Sequence, residues 1–111
     1  MMRIDRDQCG SATILTPHER IDSSSAADLE QIALQIVRSR PARLVVDLHA
    51  IDYISSAGLR VVLLAAKESR ALGVVCVLCG LQPPVMKVFE TTGLARILTI
   101  VTDRAVALKT G

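Results

Sequence analysis

Short apolar runs alternate with amphipathic stretches along most of the chain. Ala12-Thr13-Ile14-Leu15-Thr16, rich in β-branched residues and ended by Pro17, predicts a strand, and Leu44 to Leu48 and Val74 to Leu78 are two further short apolar runs. Runs with so little polar alternation suit strands covered on both faces. Between them, Ala26, Leu29, Ile32, Ala33, Ile36 and Val37 recur at helical spacing behind a run of serines, with Ser25 and Asp28 at capping-box spacing. This helix should stop near Pro41. Leu59, Val62, Leu63 and Ala66 define a second helix that ends at Gly73, a natural left-handed C-terminal position. A third starts at Pro83-Pro84, where proline is tolerated in a first turn, and turns Val85, Val88 and Phe89 inward before Gly93. Ile97 to Thr102 predicts a last strand and Asp103 to Lys109 a short closing helix. Arg3 to Gln8 is joined to the first apolar run by only Cys9-Gly10-Ser11, which predicts an antiparallel hairpin partner.

Strand and helix in this rhythm imply crossover connections. The expected fold is α/β or mixed α+β: one domain over residues 1–111, with a central, mostly parallel sheet of four to five strands and about four helices. In such sheets binding surfaces form beyond the carboxyl ends of the strands. That singles out three connections: Pro17 to Ser24, His49 to Gly58, and Gly80 to Pro84.

Composition narrows the functions available. The chain carries 13 basic and 11 acidic residues, and its arginines are spread out rather than gathered into a phosphate-tracking stripe. Tyr53 and Phe89 are its only aromatics, so no platform exists on which successive bases could stack. Nucleic acid is not an expected partner. No apolar run approaches the roughly 18 residues of a membrane-spanning helix, and the first residues lack a secretory pattern, so a soluble cytoplasmic protein is expected. Cys9, Cys76 and Cys79 make an odd count that fits reduced thiols.

Among the connections, Asp52-Tyr53-Ile54-Ser55-Ser56-Ala57-Gly58-Leu59 sets two hydroxyls just before a helix, followed by small residues that leave backbone amides accessible. Ser56 is placed as the expected helix N-cap. A phosphoryl group there would meet unpaired N–H groups and the positive end of the helix dipole, and would add about −1.5 to −2 charge units to a neutral surface. On local sequence alone, plain helix capping is the favoured explanation of serines at such a position.

Tyr53 to Leu64, Tyr-Ile-Ser-Ser-Ala-Gly-Leu-Arg-Val-Val-Leu-Leu, resembles the signature of the STAS domain, shared by bacterial anti-sigma-factor antagonists and the cytoplasmic ends of sulfate transporters. Arg20-Ile21-Asp22 before a serine-rich helix start, Leu44 to Leu48, and Val85 to Leu94 fall in the family's order, so the resemblance spans nearly the whole chain. It implies a non-enzymatic partner switch with no cofactor and no metal. The unphosphorylated protein would bind an ATP-binding serine-kinase anti-sigma factor, phosphorylation of a serine at the second helix would release it, and a PP2C-type phosphatase would restore it. Aligned on Gly58-Leu59, the family's Asp-Ser-Ser/Thr-Gly becomes Ser55-Ser56-Ala57-Gly58 here. Ser55 thus replaces the aspartate and Ala57 the second hydroxyl, which leaves Ser56 as the implied acceptor and Ser55 as the fallback. The implied partner surface comprises Asp22, Ser23, Ser55, Ser56, Ala57, Gly58, Leu59 and Arg60. Asp22 matches a family aspartate used in kinase docking and is expected near the second helix, orienting Ser56. Glu19 stands where the family often has glycine. A monomer is the default expectation.

Other signals carry less. Cys76-Val77-Leu78-Cys79 has redox or zinc spacing, but within an apolar strand its two thiols should point to opposite faces and be buried. His18 and His49 assemble no nucleophile, acid and oxyanion donor, and no glycine-rich phosphate loop is present. A STAS-like scaffold or sensor that works without phosphorylation is the second reading, and a thiol enzyme using Cys76 and Cys79 the third.

Overall fold

The three apolar runs become adjacent strands in the computed structural model, which describes residues 2–110. The elements are β1 (Ile4–Cys9), β2 (Ala12–Pro17), β3 (Glu19–Ile21), α1 (Ser23–Arg38), β4 (Arg43–Asp47), β5 (Ile51–Ile54), α2 (Ser56–Leu72), β6 (Val75–Cys79), α3 (Pro83–Thr91), a 3-10 turn (Leu94–Arg96), β7 (Ile100–Val101) and α4 (Arg104–Ala107). The main sheet is ordered β1-β2-β4-β6-β7. As the three-residue link predicts, β1 pairs antiparallel with β2, while the other pairs are parallel. This is the expected mixed α/β architecture.

Side-chain alternation explains why the central strands show no polar face. Leu15, Leu44, Val46 and Leu78 point to the side where α1, α2 and α3 bury Leu29, Ile36, Val62 and Phe89. Their neighbours Ile14, Val45 and Val77 point the other way, where Ala107 of α4 covers them together with Cys79. Both faces are covered, so both are mostly apolar, with the buried Thr16 and Asp47 as polar exceptions on the α4 side. Two arginines fasten α4 to the sheet. Arg104 donates to Asp47 Oδ2 at 3.1 Å and to Thr16 Oγ1 at 2.9 Å, and Arg43 Nη1 donates to the carbonyls of Ala107 and Thr110.

Two strands differ from the sequence expectation. The segments taken as the connections Pro17 to Ser24 and His49 to Gly58 contain β3 and β5, which pair parallel in a separate two-stranded ribbon with Glu19 opposite Ile51 and Ile21 opposite Ile54. Ile21, Ile51 and Ile54 face the core, whereas Glu19, Arg20, Asp52 and Tyr53 face water. Three or four residues with half of them polar offer no run for periodicity to detect. Glu19 enters β3 with φ +73, in the left-handed region where glycine is favoured, so the turn keeps a glycine-type backbone although the residue is Glu. The last strand is confined to Ile100–Val101 because the Ile97 and Leu98 amides still donate to the Leu94 carbonyl of the 3-10 turn, and the closing helix is shortened to Arg104–Ala107 behind its N-cap Asp103.

Helix limits largely follow the predicted signals. Gly73 ends α2 in the left-handed conformation, and Pro83-Pro84 occupy the first turn of α3. The start of α1 differs. Its capping box is formed by Asp22 and Ser25 rather than Ser25 and Asp28: the Ser25 amide donates to Asp22 Oδ1 at 2.9 Å, and the Asp22 amide donates to Ser25 Oγ at 2.9 Å.

Candidate partner-binding site

Parallel pairing of β3 with β5 brings their carboxyl ends together, and a helix leaves each end. One hydrogen bond closes the ribbon, from the Ser55 amide to the Ile21 carbonyl at 2.7 Å. The next residue of each strand is a helix cap, Asp22 for α1 and Ser55 for α2. Two helix N-termini, each a locus of partial positive charge, therefore open beside one another. Asp22 lies next to the start of α2, as the sequence implied.

The cap of α2 is Ser55, which corrects the assignment of that role to Ser56. Ser55 is extended, with φ −83 and ψ 170, and its Oγ accepts from the Gly58 amide at 3.1 Å. The bond from its own amide to Ile21 holds it in that extended state, so Ser56 becomes the first helical residue. Ser56 is exposed and Ser55 half-buried. The two hydroxyls thus differ: one is committed to the backbone of the first turn, while the other faces solvent.

The remaining predicted residues divide by burial. Gly58 and Leu59 are buried and seat the helix. A Cβ at Gly58 would lie 2.6 Å from Ile21 Cγ2 and 2.8 Å from Ile54 Cγ1, so the close approach of α2 to the ribbon requires glycine. Ala57 is half-buried; Ser23 and Arg60 are exposed, and Arg60 pairs with Glu30 of α1 at 3.7 Å. The Asp22 carboxylate is engaged by its own helix. Its Oδ1 accepts from the Ser24 and Ser25 amides at 3.0 and 2.9 Å and from their hydroxyls at 2.7 and 3.1 Å, with none of its hydrogen bonds reaching Ser56. The Ser25 amide first, then the Ser24 and Ser25 hydroxyls, hold its pKa down to about 2. Asp22 is therefore a fixed negative charge at the site.

Sequence reasoning missed the pair Arg20 and Tyr53. The Arg20 guanidinium carbon stands 4.4 Å from the Tyr53 ring centroid, across the outward face of the ribbon. The solitary tyrosine beside the two serines was the available signal, but the pairing of β3 with β5 was needed to bring Arg20 over it.

The two strand cysteines point to opposite faces, as the sequence predicted, with Cys79 buried and Cys76 partly buried. Cys76 packs on the helix side and Cys79 in the cluster under α4. Burial pushes the Cys76 thiol up to about 11 and the Cys79 thiol up to about 12. Among the described residues no cluster of three or more His, Cys, Asp or Glu side chains could hold a metal ion, and no helix is long and apolar enough to cross a membrane.

Known proteins share both sequence and fold. Residues 3–107 match the STAS domain family, and the chain belongs to that family, one of non-enzymatic regulators. It is 40% identical over 107 residues to a Bordetella bronchiseptica protein, BtrV, provisionally named an anti-sigma factor antagonist; the match covers 96% of this chain and 91% of that one. An anti-sigma factor antagonist from Mycobacterium paratuberculosis has the same fold, with a TM-score of 0.90 at 20% identity over 98% of this chain and 92% of the other. The phosphorylated form of the Bacillus cell-fate determinant SpoIIAA superposes with a TM-score of 0.73 at 14% identity over 98% of both chains.

Proposed function

We propose that this chain is an anti-sigma-factor antagonist in a partner-switching pathway. In its unphosphorylated form it binds and sequesters an ATP-binding serine-kinase anti-sigma factor; that kinase inactivates it by phosphorylating Ser56, and a PP2C-type phosphatase restores it. It works as a cytoplasmic monomer. The observation that carries this reading is the exposed Ser56 hydroxyl in the first turn of α2, beside the fixed charge of Asp22 at the closed end of the β3–β5 ribbon. The names of its relatives supply the class of partner.

The physical logic is local. A phosphoryl group in the first turn is favoured by the positive end of α2, so the fold tolerates it. It also places a dianion next to the Asp22 carboxylate, and the partner must meet both. Each loss of ~1.4 kcal/mol weakens binding tenfold, so a modest clash of charge and bulk suffices for a switch.

Ser55 is the alternative acceptor, favoured by one observation. Its Oγ already accepts the Gly58 amide at 3.1 Å, so a phosphoryl group there would sit directly on the helix N-terminus. Incubating the protein with ATP and the kinase encoded nearest its gene, then locating phosphate by peptide mass spectrometry, separates the two. Ser56→Ala should abolish modification and retain binding, while Ser56→Asp should weaken binding. Phosphate on Ser55 in the alanine variant would move the acceptor by one residue, whereas binding with no modification in either form would favour a scaffold without covalent switching.

A further inference from the structure

We infer that the stacked pair Arg20 and Tyr53 is a receptor for a carboxylate side chain of the partner kinase, and that it governs which partner this chain accepts. The inference rests on the reading of the chain as a protein that docks through the start of α2.

Both side chains stand on the outward face of the ribbon, with Tyr53 44% exposed. A guanidinium laid over an aromatic face at 4.4 Å has its planar fork of N–H donors held in one orientation, with the outer edge still open to water. Four other arginines have an internal anion: Arg3 pairs with Asp5, Arg38 with Glu68, Arg60 with Glu30 and Arg104 with Asp47; of those without an ion pair among the described residues (Arg6, Arg20, Arg40, Arg43, Arg70 and Arg96), Arg20 alone lies over an aromatic ring. Arg20 forms no ion pair among the described residues, although Glu19 and Asp22 flank it in the chain. Asp22 is turned away by its engagement with α1. An ordered fork without an internal anion matches one from outside, and carboxylate is the protein group that such a fork meets with two parallel hydrogen bonds. Because the ring holds the fork in place beforehand, less conformational freedom is lost on binding.

Position ties this receptor to the switch. Arg20 precedes Asp22 by two residues, and Tyr53 precedes Ser55 by two, on the ribbon that the Ser55 amide and Ile21 carbonyl close at 2.7 Å. A phosphoryl dianion at the start of α2 repels an acidic group approaching Arg20. The modification therefore opposes the same sign of charge that the receptor attracts.

The test measures affinity for the purified kinase encoded nearest the chain's gene, by calorimetry, for the wild type and for Arg20→Ala, Arg20→Glu, Arg20→Lys, Tyr53→Ala and Tyr53→Phe, with thermal melting alongside. Arg20→Ala and Tyr53→Ala should bind about tenfold more weakly or worse, and Arg20→Glu more weakly still. Arg20→Lys should also lose affinity because it lacks the fork, whereas Tyr53→Phe keeps the ring and should stay within about twofold of wild type. Melting temperatures should be unchanged, and Arg20→Lys with Tyr53→Phe, which preserve the packing, give the answer should an alanine variant melt early. A wild type that binds while Arg20→Glu and Arg20→Lys bind equally well overturns the receptor and leaves the proposed function standing. A wild type that does not bind the kinase overturns both.

Discussion

The Ser55 amide donates to the Ile21 carbonyl at 2.7 Å, and the candidate site is organised around that bond. It extends the pairing of β3 and β5 one step past the end of β5. Asp22 and Ser55, one residue beyond the paired ends, then cap two different helices side by side. A fixed anion and a pair of hydroxyls come within one small surface, although 32 residues of chain separate Asp22 from Ser55.

Gly58 should be the least replaceable residue of the first turn of α2. A methyl group there would approach Ile21 Cγ2 to 2.6 Å and Ile54 Cγ1 to 2.8 Å, and both of those side chains are themselves buried. Gly58→Ala is expected to destabilise the fold by about 1–3 kcal/mol, as overpacking does in a filled core. Urea unfolding would measure it, and an unchanged midpoint would show that α2 can lift away from the ribbon without cost.

The two serines should separate cleanly in stability. Ser55→Ala removes the Oγ that accepts the Gly58 amide and should cost about 1 kcal/mol. Ser56→Ala alters an exposed side chain in the first turn and should remain within about 0.5 kcal/mol of wild type. Equal losses in urea unfolding would contradict the assignment of Ser55 as the cap.

Asp22 should leave a mark on acid stability. Its pKa is held at about 2, below the ordinary 3.8, so its ionised form is favoured in the folded state. The stabilisation is full above 3.8 and is lost as the pH falls toward about 2. Asp22→Asn keeps an oxygen that can cap α1 but does not titrate. The stability difference between wild type and this variant should therefore be constant near neutrality and shrink across that acid window, and a difference independent of pH would contradict the cause given for the shift.

The sheet was legible in the sequence because its central strands are buried on both faces and so read as uninterrupted apolar runs. The hairpin of β1 and β2 followed from a short link, and Gly73 and Pro83 marked helix limits through backbone constraints that are local to them. The ribbon was not legible. β3 and β5 show the core only through Ile21, Ile51 and Ile54, and their pairing is a tertiary fact. The same bond from Ser55 to Ile21 decides which serine caps α2, so local preference for serine could place the cap only to within one residue. Asp22 likewise won the capping of α1 because it directly follows the end of β3, whereas Ser25 lies inside the helix. The proximity of Asp22 to the serines could be anticipated, since strands close in sequence are commonly neighbours. The stacking of Arg20 on Tyr53 could not.

The cysteines should be distinguishable by reactivity. Cys9 is exposed, while burial raises the Cys76 and Cys79 thiols to about 11 and about 12. Because the thiolate is the reactive form, iodoacetamide at neutral pH should modify Cys9 in the native protein and the other two only after unfolding. Rapid native labelling of Cys76 or Cys79, located by peptide mass spectrometry, would contradict their role as packing groups and revive a thiol chemistry.

The most direct test compares the affinity of the purified serine kinase for this chain before and after phosphate is placed on the Ser55-Ser56 pair. The unmodified protein should bind and the phosphorylated protein should bind at least about tenfold more weakly, with its fold intact by circular dichroism. Equal affinity of the two forms, or a kinase that transfers no phosphate to either serine, would contradict the account.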